Sequence, residues 1–297
     1  MTRSAEILLA SLIDYAGTFP PATLGLAQAA AEYARQRSAI SRAMLGRFVL
    51  AAADLDAFEA LPSTVVASGT PWPLAIVGKR ETMPDAVRLR RFDQAMKGRA
   101  AIVAVEFAPM PPPEIEATAQ ALPSGIEAIF EVSAVGDFGS SLTAISASGA
   151  CAKIRTGGVT ADAFPDAMAL VGFMQACHDA RVPFKATAGL HHAVCGSYPL
   201  TYQPNSARAT MYGFLNVSVA AALIYSGSTP AVAVDALQDS ATGAFTFSDA
   251  SLVWRGQRLA LELLADTRRK FFKSFGSCAF QEPVEELTRL GIIESRS

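Results

Sequence analysis

Short apolar segments alternate with longer helix-like segments along most of this 297-residue chain. A buried strand followed by a helix, repeated many times, is typical of α/β proteins with a parallel sheet. The pattern predicts strands at residues 7–13, 47–53, 72–77, 101–105, 126–130, 150–152, 182–184 and 244–247. Eight strands that alternate with helices predict an α/β fold of the (β/α)8 type, the TIM barrel.

The segments between these strands complete the predicted barrel. Apolar periodicity and the positions of proline favour helices at residues 24–40, 83–96, 165–180, 213–225, 230–237 and 257–272. Residues 193–210 are polar and rich in Pro, Gly and Ser, which is typical of a long loop. No shift in composition marks a domain boundary, so we expect one barrel domain over residues 1–297. Its C-terminal part, from about residue 274, is expected to be a loop and a short helix.

An open, doubly wound sheet is the alternative to a closed barrel. Such a sheet commonly has a glycine-rich turn after its first strand. The sequence contains neither a GxGxxG nor a Walker motif. We therefore favour the barrel.

Composition and charge limit the classes of partner. The formal net charge is −2 and the basic residues are scattered, which argues against nucleic acid or an anionic membrane as the main partner. No apolar run is long enough to span a membrane, and the N-terminal segment is not typical of a signal peptide. The 4 cysteines lack CxxC spacing and are typical of reduced thiols. We expect a cytoplasmic protein that acts on a small molecule, either as a monomer or as a homo-oligomer.

Two lysines occupy similar contexts about one strand-helix unit apart. Lys153 lies in Ala-Lys-Ile-Arg-Thr-Gly-Gly, and Lys185 lies in Phe-Lys-Ala-Thr-Ala-Gly-Leu-His-His. A lysine at the end of a buried strand is costly to bury as a charge, so it needs a partner or a function. Two such lysines close together would repel each other, and we expect this to lower the pKa of at least one. The alternative is a pair of structural salt bridges with Glu106 and Glu131.

Polar residues at the predicted strand ends form the list of candidate site residues, because barrel active sites lie at the carboxyl ends of the strands. Lys153 and Lys185 are candidate catalytic residues, Glu106 or Glu131 is the candidate general acid/base, and His191 is a further acid/base or hydrogen-bonding candidate. The candidate substrate-binding residues are Asp14, Tyr15, Lys79, Arg155, Thr156, Gly157, Gly158, Thr187, His192 and Ser248. Arg155 and the following backbone N–H groups suit a carboxylate or phosphate. The set as a whole predicts a small anionic carbonyl substrate.

The lysine segments carry a resemblance to a known family. Lys153-Ile-Arg-Thr-Gly and Lys185-Ala-Thr-Ala-Gly resemble two consecutive strands of the 2-deoxyribose-5-phosphate aldolase family of class I aldolases, Lys-Thr-Ser-Thr-Gly and Lys-Ala-Ser-Gly-Gly. The segments are also similar to those of a bacterial family without an assigned function. The aldolase resemblance implies that Lys153 forms an imine and that Lys185 lowers its pKa. It covers these two segments only, and Arg155 and His191 depart from the pattern.

Three functions remain open from the sequence. The first is a lyase of the class I aldolase type without a cofactor. The second is a metal-dependent lyase, isomerase or hydrolase, in which His191 binds a divalent metal with Glu106 and Glu131. No HxH or HExxH spacing accompanies His191, so we expect no metal. The third is a barrel that binds a ligand without catalysis.

Overall fold

The computed structural model describes residues 1–67, 69–133 and 138–294. Within them the strands are β1 (Ile13–Tyr15), β2 (Leu45–Ala51), β3 (Trp72–Gly78), β4 (Ala100–Phe107), β5 (Glu127–Val132), β6 (Cys151–Arg155), β7 (Phe184–Thr187), β8 (Gly196–Pro199), β9 (Arg208–Met211), β10 (Phe245–Phe247), β11 (Ser251–Trp254), β12 (Gln257–Ala260) and β13 (Phe272–Ser277). Eight of them close into a parallel barrel in the order β1-β13-β7-β6-β5-β4-β3-β2. The predicted (β/α)8 barrel is confirmed.

Helices surround the barrel and bury their apolar faces against the strands. They are α1 (Arg3–Leu9), α2 (Leu26–Arg37), α3 (Leu55–Glu59), α4 (Ala86–Ala95), α5 (Pro112–Gln120), α6 (Gly139–Ser148), α7 (Ala167–Asp179), α8 (Phe214–Tyr225), α9 (Pro230–Gln238), α10 (Leu261–Lys270) and α11 (Gln281–Arg289). In α7 the Asp166 side chain caps the first turn by accepting from the Ala169 N–H. Leu170, Phe173 and Met174 recur at helical spacing and are buried. In the described ranges, no helix is long and apolar enough to cross a lipid bilayer.

The prediction of the first strand at residues 7–13 is wrong. Arg3–Leu9 is a helix, and the strand is the three-residue segment Ile13–Tyr15. Ala5, Leu8 and Leu9 are buried at the spacing of one helix face, on a helix that packs against α10. An apolar run of this length fits a helix as well as a strand, and here the helical packing prevails.

The prediction of the eighth strand is also wrong. Phe245–Phe247 pairs with Ser251–Trp254 in a separate antiparallel sheet, and Gln257–Ala260, expected to be helical, is the third strand of that sheet. The eighth barrel strand is Phe272–Ser277, which was expected to lie at the end of a helix and in the terminal loop. The expected loop at 193–210 also contains the antiparallel pair β8 and β9. The predicted final helix is present as α11.

The barrel interior has an apolar layer between two polar layers. Each strand from β2 to β6 contributes one residue to the apolar layer: Val49, Ala75, Ala104, Ile129 and Cys151. Side chains alternate along a strand, so residues two positions away from this layer also face the interior. On the amino-terminal side Arg47 pairs with Glu127 (Nη2–Oε2 2.5 Å). On the carboxyl-terminal side lie Glu106, Glu131 and Lys153, and this end is where the site forms.

Candidate active site

An open cavity of about 660 Å³ lies at the carboxyl ends of the barrel strands. Its apolar wall comes from strand ends and from the loop after β1, including Phe19, Val49 and Val77. Its charged and polar lining consists of Lys79, Glu106, Glu131, Lys153, Arg155, Thr160, Lys185, Thr187, His191 and Cys278. The cavity therefore brings together most of the residues that the sequence predicted for the site, at the end of the barrel where barrel enzymes have their active sites.

Lys185 lies at the floor of this cavity, with 1% of its side chain exposed. Its Nζ donates hydrogen bonds to Asp14 Oδ2 (2.6 Å) and to Glu106 Oε1 (2.7 Å). Asp14 also accepts from the Ser274 hydroxyl (2.7 Å) and from the backbone N–H of Arg47 (2.8 Å). Burial lowers the pKa of Lys185, but the charges of Asp14 and Glu106 outweigh burial and hold the pKa above its usual value. Lys185 is therefore a fixed ammonium ion at neutral pH.

Glu106 connects the two lysines. Its Oε1 accepts from Lys185, and its Oε2 lies 3.3 Å from the Nζ of Lys153. Burial raises the pKa of this carboxyl group, but the charges of Lys185 and Lys153 oppose burial and bring the pKa down to about 2. Glu106 is an anion over the whole neutral range, so it has no proton to donate there, and its low pKa makes it a weak base.

Lys153 is in register with Lys185 on the neighbouring strand, but its contacts are longer. Its Nζ lies 3.1 Å from Glu131 Oε2 and 3.3 Å from Glu106 Oε2. Glu131 is at the cavity wall, and its other oxygen lies 3.5 Å from the Nε of Arg155. Lys153 thus contacts one fully buried carboxylate and one that the cavity partly exposes.

The charges around the two lysines differ from those that the sequence predicted. The two lysines are neighbours, as predicted, but the pKa of Lys185 shifts upward, because the charges of Asp14 and Glu106 outweigh the effect of burial. The alternative prediction, ion pairs with Glu106 and Glu131, matches the contacts of Lys153. Asp14 reaches Lys185 from a strand at the far end of the sequence. The result is an alternating chain of charges, from Asp14 through Lys185, Glu106 and Lys153 to Glu131.

The loops after β6 and β7 touch each other through glycines. A Cβ atom added to Gly157 would lie 2.7 Å from the Cα of Gly189, and Gly189 itself has a φ of +77°, which favours glycine. The Thr156 hydroxyl donates to the carbonyl oxygen of Ala188 (2.6 Å), so this side chain joins the two loops. Gly157 and Gly158 line the cavity, whereas the Thr156 side chain is buried beneath them.

Two cations stand at the mouth of the cavity. Lys79, after β3, is exposed, and Arg155, at the end of β6, has 54% of its side chain exposed. Thr187, at the end of β7, also lines the cavity. Exposed cations at a cavity mouth favour the approach of anionic groups.

His191 lines the cavity from the loop after β7. Its Nδ1 lies 3.7 Å from Glu282 Oε2 and 3.5 Å from the Ser277 hydroxyl oxygen. Burial, together with the charge of His192, lowers the pKa of His191 to about 4. The imidazole is neutral at pH 7 and offers a hydrogen-bonding group rather than a charge.

His192 has a different position from its neighbour. Its Nδ1 lies 2.6 Å from Glu286 Oε1, and its ring stacks on Tyr198 with the centroids 3.4 Å apart. These contacts join the β8–β9 hairpin to α11. His192 lines a smaller adjoining pocket of about 330 Å³, which His191 also lines.

Five predicted site residues do not line the cavity: Asp14, which binds Lys185 from below, Thr156, His192, Tyr15 and Ser248. Two of them, Tyr15 and Ser248, make their contacts away from the residues of the site. Tyr15 points away from the barrel axis and packs on Tyr33 and Phe48, with ring centroids 6.1 and 6.0 Å away. Its neighbour Asp14 points inward, since successive side chains of a strand face opposite sides. Ser248 was predicted from an eighth strand that does not belong to the barrel. Its hydroxyl donates to the carbonyl oxygen of Ser251 (2.9 Å) in the peripheral sheet.

Several residues that shape the site were missed by the sequence analysis. Ser274 and Cys278 belong to β13 and to the loop after it, so the error in the eighth strand concealed them. Glu282 and Glu286, which hold the two histidines, are four residues apart on α11. This spacing places them on one helix face, but nothing in the sequence indicates which part of the barrel that face meets.

The site contains few groups arranged for a metal ion. Across residues 1–67, 69–133 and 138–294, no cluster of three or more His, Cys, Asp or Glu side chains has a geometry that could hold one. The nearest carboxylate to His191 is that of Glu282, while Glu106 and Glu131 contact lysines. The donor set proposed for a metal from the sequence is therefore not assembled around His191.

No protein-family model matches the sequence, and no curated protein is significantly similar to it.

Proposed function

We infer that the protein is a lyase of the class I aldolase type, in which Lys153 forms an imine with a small anionic carbonyl compound. The position of Lys153 carries this inference: it lines the cavity floor beside a permanently charged lysine, and both share Glu106. The resemblance of the two lysine segments to the 2-deoxyribose-5-phosphate aldolase family supports the same assignment.

The contacts of the two lysines favour Lys153 as the nucleophile. Lys185 is held by two short hydrogen bonds to carboxylates and stays protonated, so it is a poor nucleophile. Lys153 has longer contacts, and Glu131 Oε2, at 3.1 Å, is placed to take a proton from its Nζ. Lys153 is therefore the lysine that attacks, and Lys185 supplies a fixed positive charge beside it.

The reaction follows from the chemistry of a free amine. The Nζ of Lys153 adds to the carbonyl carbon, water leaves, and the protonated imine withdraws electrons from a neighbouring C–C bond. A base takes the proton of the hydroxyl group on the far carbon of that bond, so that cleavage releases a carbonyl product and leaves an enamine. The enamine is then protonated at carbon, and water hydrolyses the resulting imine to release the second product and the free amine. Glu131 is better suited than Glu106 to move these protons, because the pKa of Glu106 is about 2.

The cavity also suits the proposed substrate. Its volume of about 660 Å³ is that of a small-molecule site. Lys79 and Arg155 at the mouth are placed to meet an anionic group, while Val49 and Val77 give the wall an apolar part. We expect a keto acid or a phosphorylated aldehyde or ketone.

Borohydride trapping tests this proposal. The protein is mixed with separate small 2-keto acids, aldehydes and sugar phosphates, reduced with borohydride, and mapped by peptide mass spectrometry. We expect a stable secondary amine on Lys153 that disappears in Lys153→Met and Lys153→Arg. The matched control is Lys97→Met, which removes an exposed lysine on the turn before β4 and should leave the adduct unchanged.

The other outcomes separate the alternatives. An adduct on Lys185 would keep imine chemistry but reverse the roles of the two lysines. Turnover of a substrate that EDTA abolishes, without any adduct, would favour the metal-dependent alternative. Saturable binding of a carbonyl compound without adduct or turnover would favour a ligand-binding barrel.

A further inference from the structure

The opposite end of the barrel contains a second cavity, and it is basic. A pocket of about 520 Å³ lies at the amino-terminal ends of the strands, beside the end of α10. Four cations line it: Arg47, Arg268, Arg269 and Lys273. Among the described residues, Asp14 is the carboxylate in this lining, and it is already bound to Lys185. The cavity therefore has an excess of positive charge.

Two of the four cations have a carboxylate partner. Arg47 pairs with Glu127 inside the barrel, and Arg269 pairs with Asp266 one turn earlier on α10. Across the described part of the chain, Arg268 and Lys273 form no ion pair. The Nζ of Lys273 donates instead to the carbonyl oxygen of Arg269 (3.1 Å). The excess charge is thus located on Arg268 and Lys273.

Arg268 is the more confined of the two. Its guanidinium donates to the carbonyl oxygens of Phe272 and Lys273 (both 2.6 Å) and of Ala10 (3.0 Å), and its Nε is buried without a partner. Burial lowers the pKa of Arg268 to about 10, with the charge of Asp14 acting in the opposite direction. A partly buried cation without a counter-ion is destabilising, and an anion in the cavity would reduce that cost.

The helix dipole explains only part of this arrangement. Arg268, Arg269 and Lys270 occupy the last turn of α10, where basic residues interact favourably with the helix dipole. Lys273 and Arg47 belong to the strands β13 and β2, which the dipole of α10 does not account for. Residues from three elements therefore place positive charge around one cavity.

We propose that this cavity binds an organic phosphate, with its phosphoryl group between Arg268, Arg269 and Lys273. A phosphate dianion matches the charge of the two uncompensated cations, and the guanidinium of Arg269 can bind two of its oxygens while Arg268 contributes charge. Ile7, Leu45 and Pro73 also line the cavity and provide an apolar surface for the organic part. Because the site lies at the end of the barrel away from Lys153, its ligand is an effector or a stabilising ligand rather than the substrate.

Calorimetric titration at constant ionic strength tests the proposal, with phenyl phosphate and inorganic phosphate as probes and chloride as the reference anion. We expect saturable binding, tighter for phenyl phosphate than for inorganic phosphate. Lys273→Ala and Arg269→Ala should each weaken binding about tenfold or more, since each removes a charged hydrogen-bond donor. The matched control is Lys270→Ala, which removes an exposed cation outside the cavity lining and should leave the affinity unchanged. Lys273→Gln gives a second test if Lys273→Ala is unstable.

Four results would overturn the proposal. The first is no saturable binding of phenyl phosphate. The second is equal weakening in Lys270→Ala, which would indicate a diffuse surface field. The third is loss of binding in Arg155→Ala with no change in Lys273→Ala, which would place the anion at the other end of the barrel. The fourth is equal affinity for phenyl phosphate and inorganic phosphate, which would show that the cavity does not recognise the organic part of the ligand.

Discussion

The strands β6 and β7 carry lysines in similar sequence contexts and in register, yet the two lysines have different surroundings. Lys185 makes hydrogen bonds of 2.6 and 2.7 Å to carboxylates and is fixed as a cation. Lys153 has contacts of 3.1 and 3.3 Å, one of them to a carboxylate at the cavity wall. Two similar local sequences therefore place one lysine, Lys185, as a structural cation and the other, Lys153, as a candidate nucleophile.

The position of each strand in the barrel explains the difference. β7 is one strand away from β1, through β13, so Lys185 meets Asp14. β6 lies beside β5, so Lys153 meets Glu131. Glu106, on β4, contacts both lysines. The roles of the lysines depend on which strands the closed barrel places beside them, rather than on the residues next to them in sequence.

Removal of Lys185 should have the largest effect on stability. Lys185→Met leaves the buried carboxylates of Asp14 and Glu106 without their shared ammonium, and we expect the free energy of unfolding to fall by about 3–5 kcal/mol. Lys153→Met leaves Glu106 paired with Lys185, so we expect a smaller loss, about 1–2 kcal/mol. Urea unfolding at pH 7 measures both values. Equal losses would show that the two lysines are structurally equivalent.

The dependence of stability on pH in acid should reveal the contribution of the ionised Glu106 carboxylate. Its pKa is about 2 in the folded protein, against an ordinary value of 4.5. Because the folded pKa is depressed, this carboxylate stabilises the fold above about pH 4.5, and its contribution, on the order of 3 kcal/mol, is lost as the pH falls towards 2. Glu106→Gln should lack this component of the acid dependence of stability.

Carboxyl ¹³C NMR measures the same pKa directly. We expect no titration of Glu106 between pH 7 and 4 in the unmodified protein. The pKa of Glu106 should rise more in Lys185→Met than in Lys153→Met, because Lys185 contributes both the larger charge effect and a hydrogen bond. Titration of Glu106 near 4.5 in the unmodified protein would contradict the charge network described above.

The contact between the loops after β6 and β7 should contribute less to stability than Lys185 does. In Gly157→Ala the added Cβ would lie 2.5 Å from Phe164 Cε1 and 2.7 Å from Gly189 Cα, so we expect a loss of about 1–3 kcal/mol. The matched control is Gly172→Ala in α7, where nothing lies within 4 Å of the added Cβ and a gain of up to about 1 kcal/mol is expected. Thermal and urea unfolding compare the two. A tolerated Gly157→Ala would show that the loops separate easily.

The strands that the sequence predicted well share one property. β2 to β5 are runs of six to eight mostly apolar residues, and their predicted ranges overlap the observed ones closely. β1 has only three residues and follows an amphipathic helix, so its signal is hidden. β13 carries Lys273, Ser274 and Gly276 among its phenylalanines, which made it read as part of a loop. Short or polar strands depend on barrel closure for their stability, and closure leaves little trace in local sequence.

The predicted site residues also fall into two groups, those that line the cavity and those that lie elsewhere. The lysines, Glu106, Glu131, Arg155 and His191 were predicted because each follows an apolar strand, and the cavity brings them together. Tyr15 and Ser248 were also predicted from strand ends and lie elsewhere, since a shift of one residue reverses the direction of a side chain and an incorrect strand assignment moves it out of the barrel.

The alternation of apolar runs and helices was sufficient for the fold class, because it sets which faces of the chain must be buried. The strand-end lysines and carboxylates were visible in the same pattern. Which carboxylate meets which lysine was not visible. Asp14 and Lys185 are 171 residues apart and pair because the barrel closes with β13 between their strands. A charge network of this kind arises from contacts across the closed ring, and local sequence does not encode those contacts.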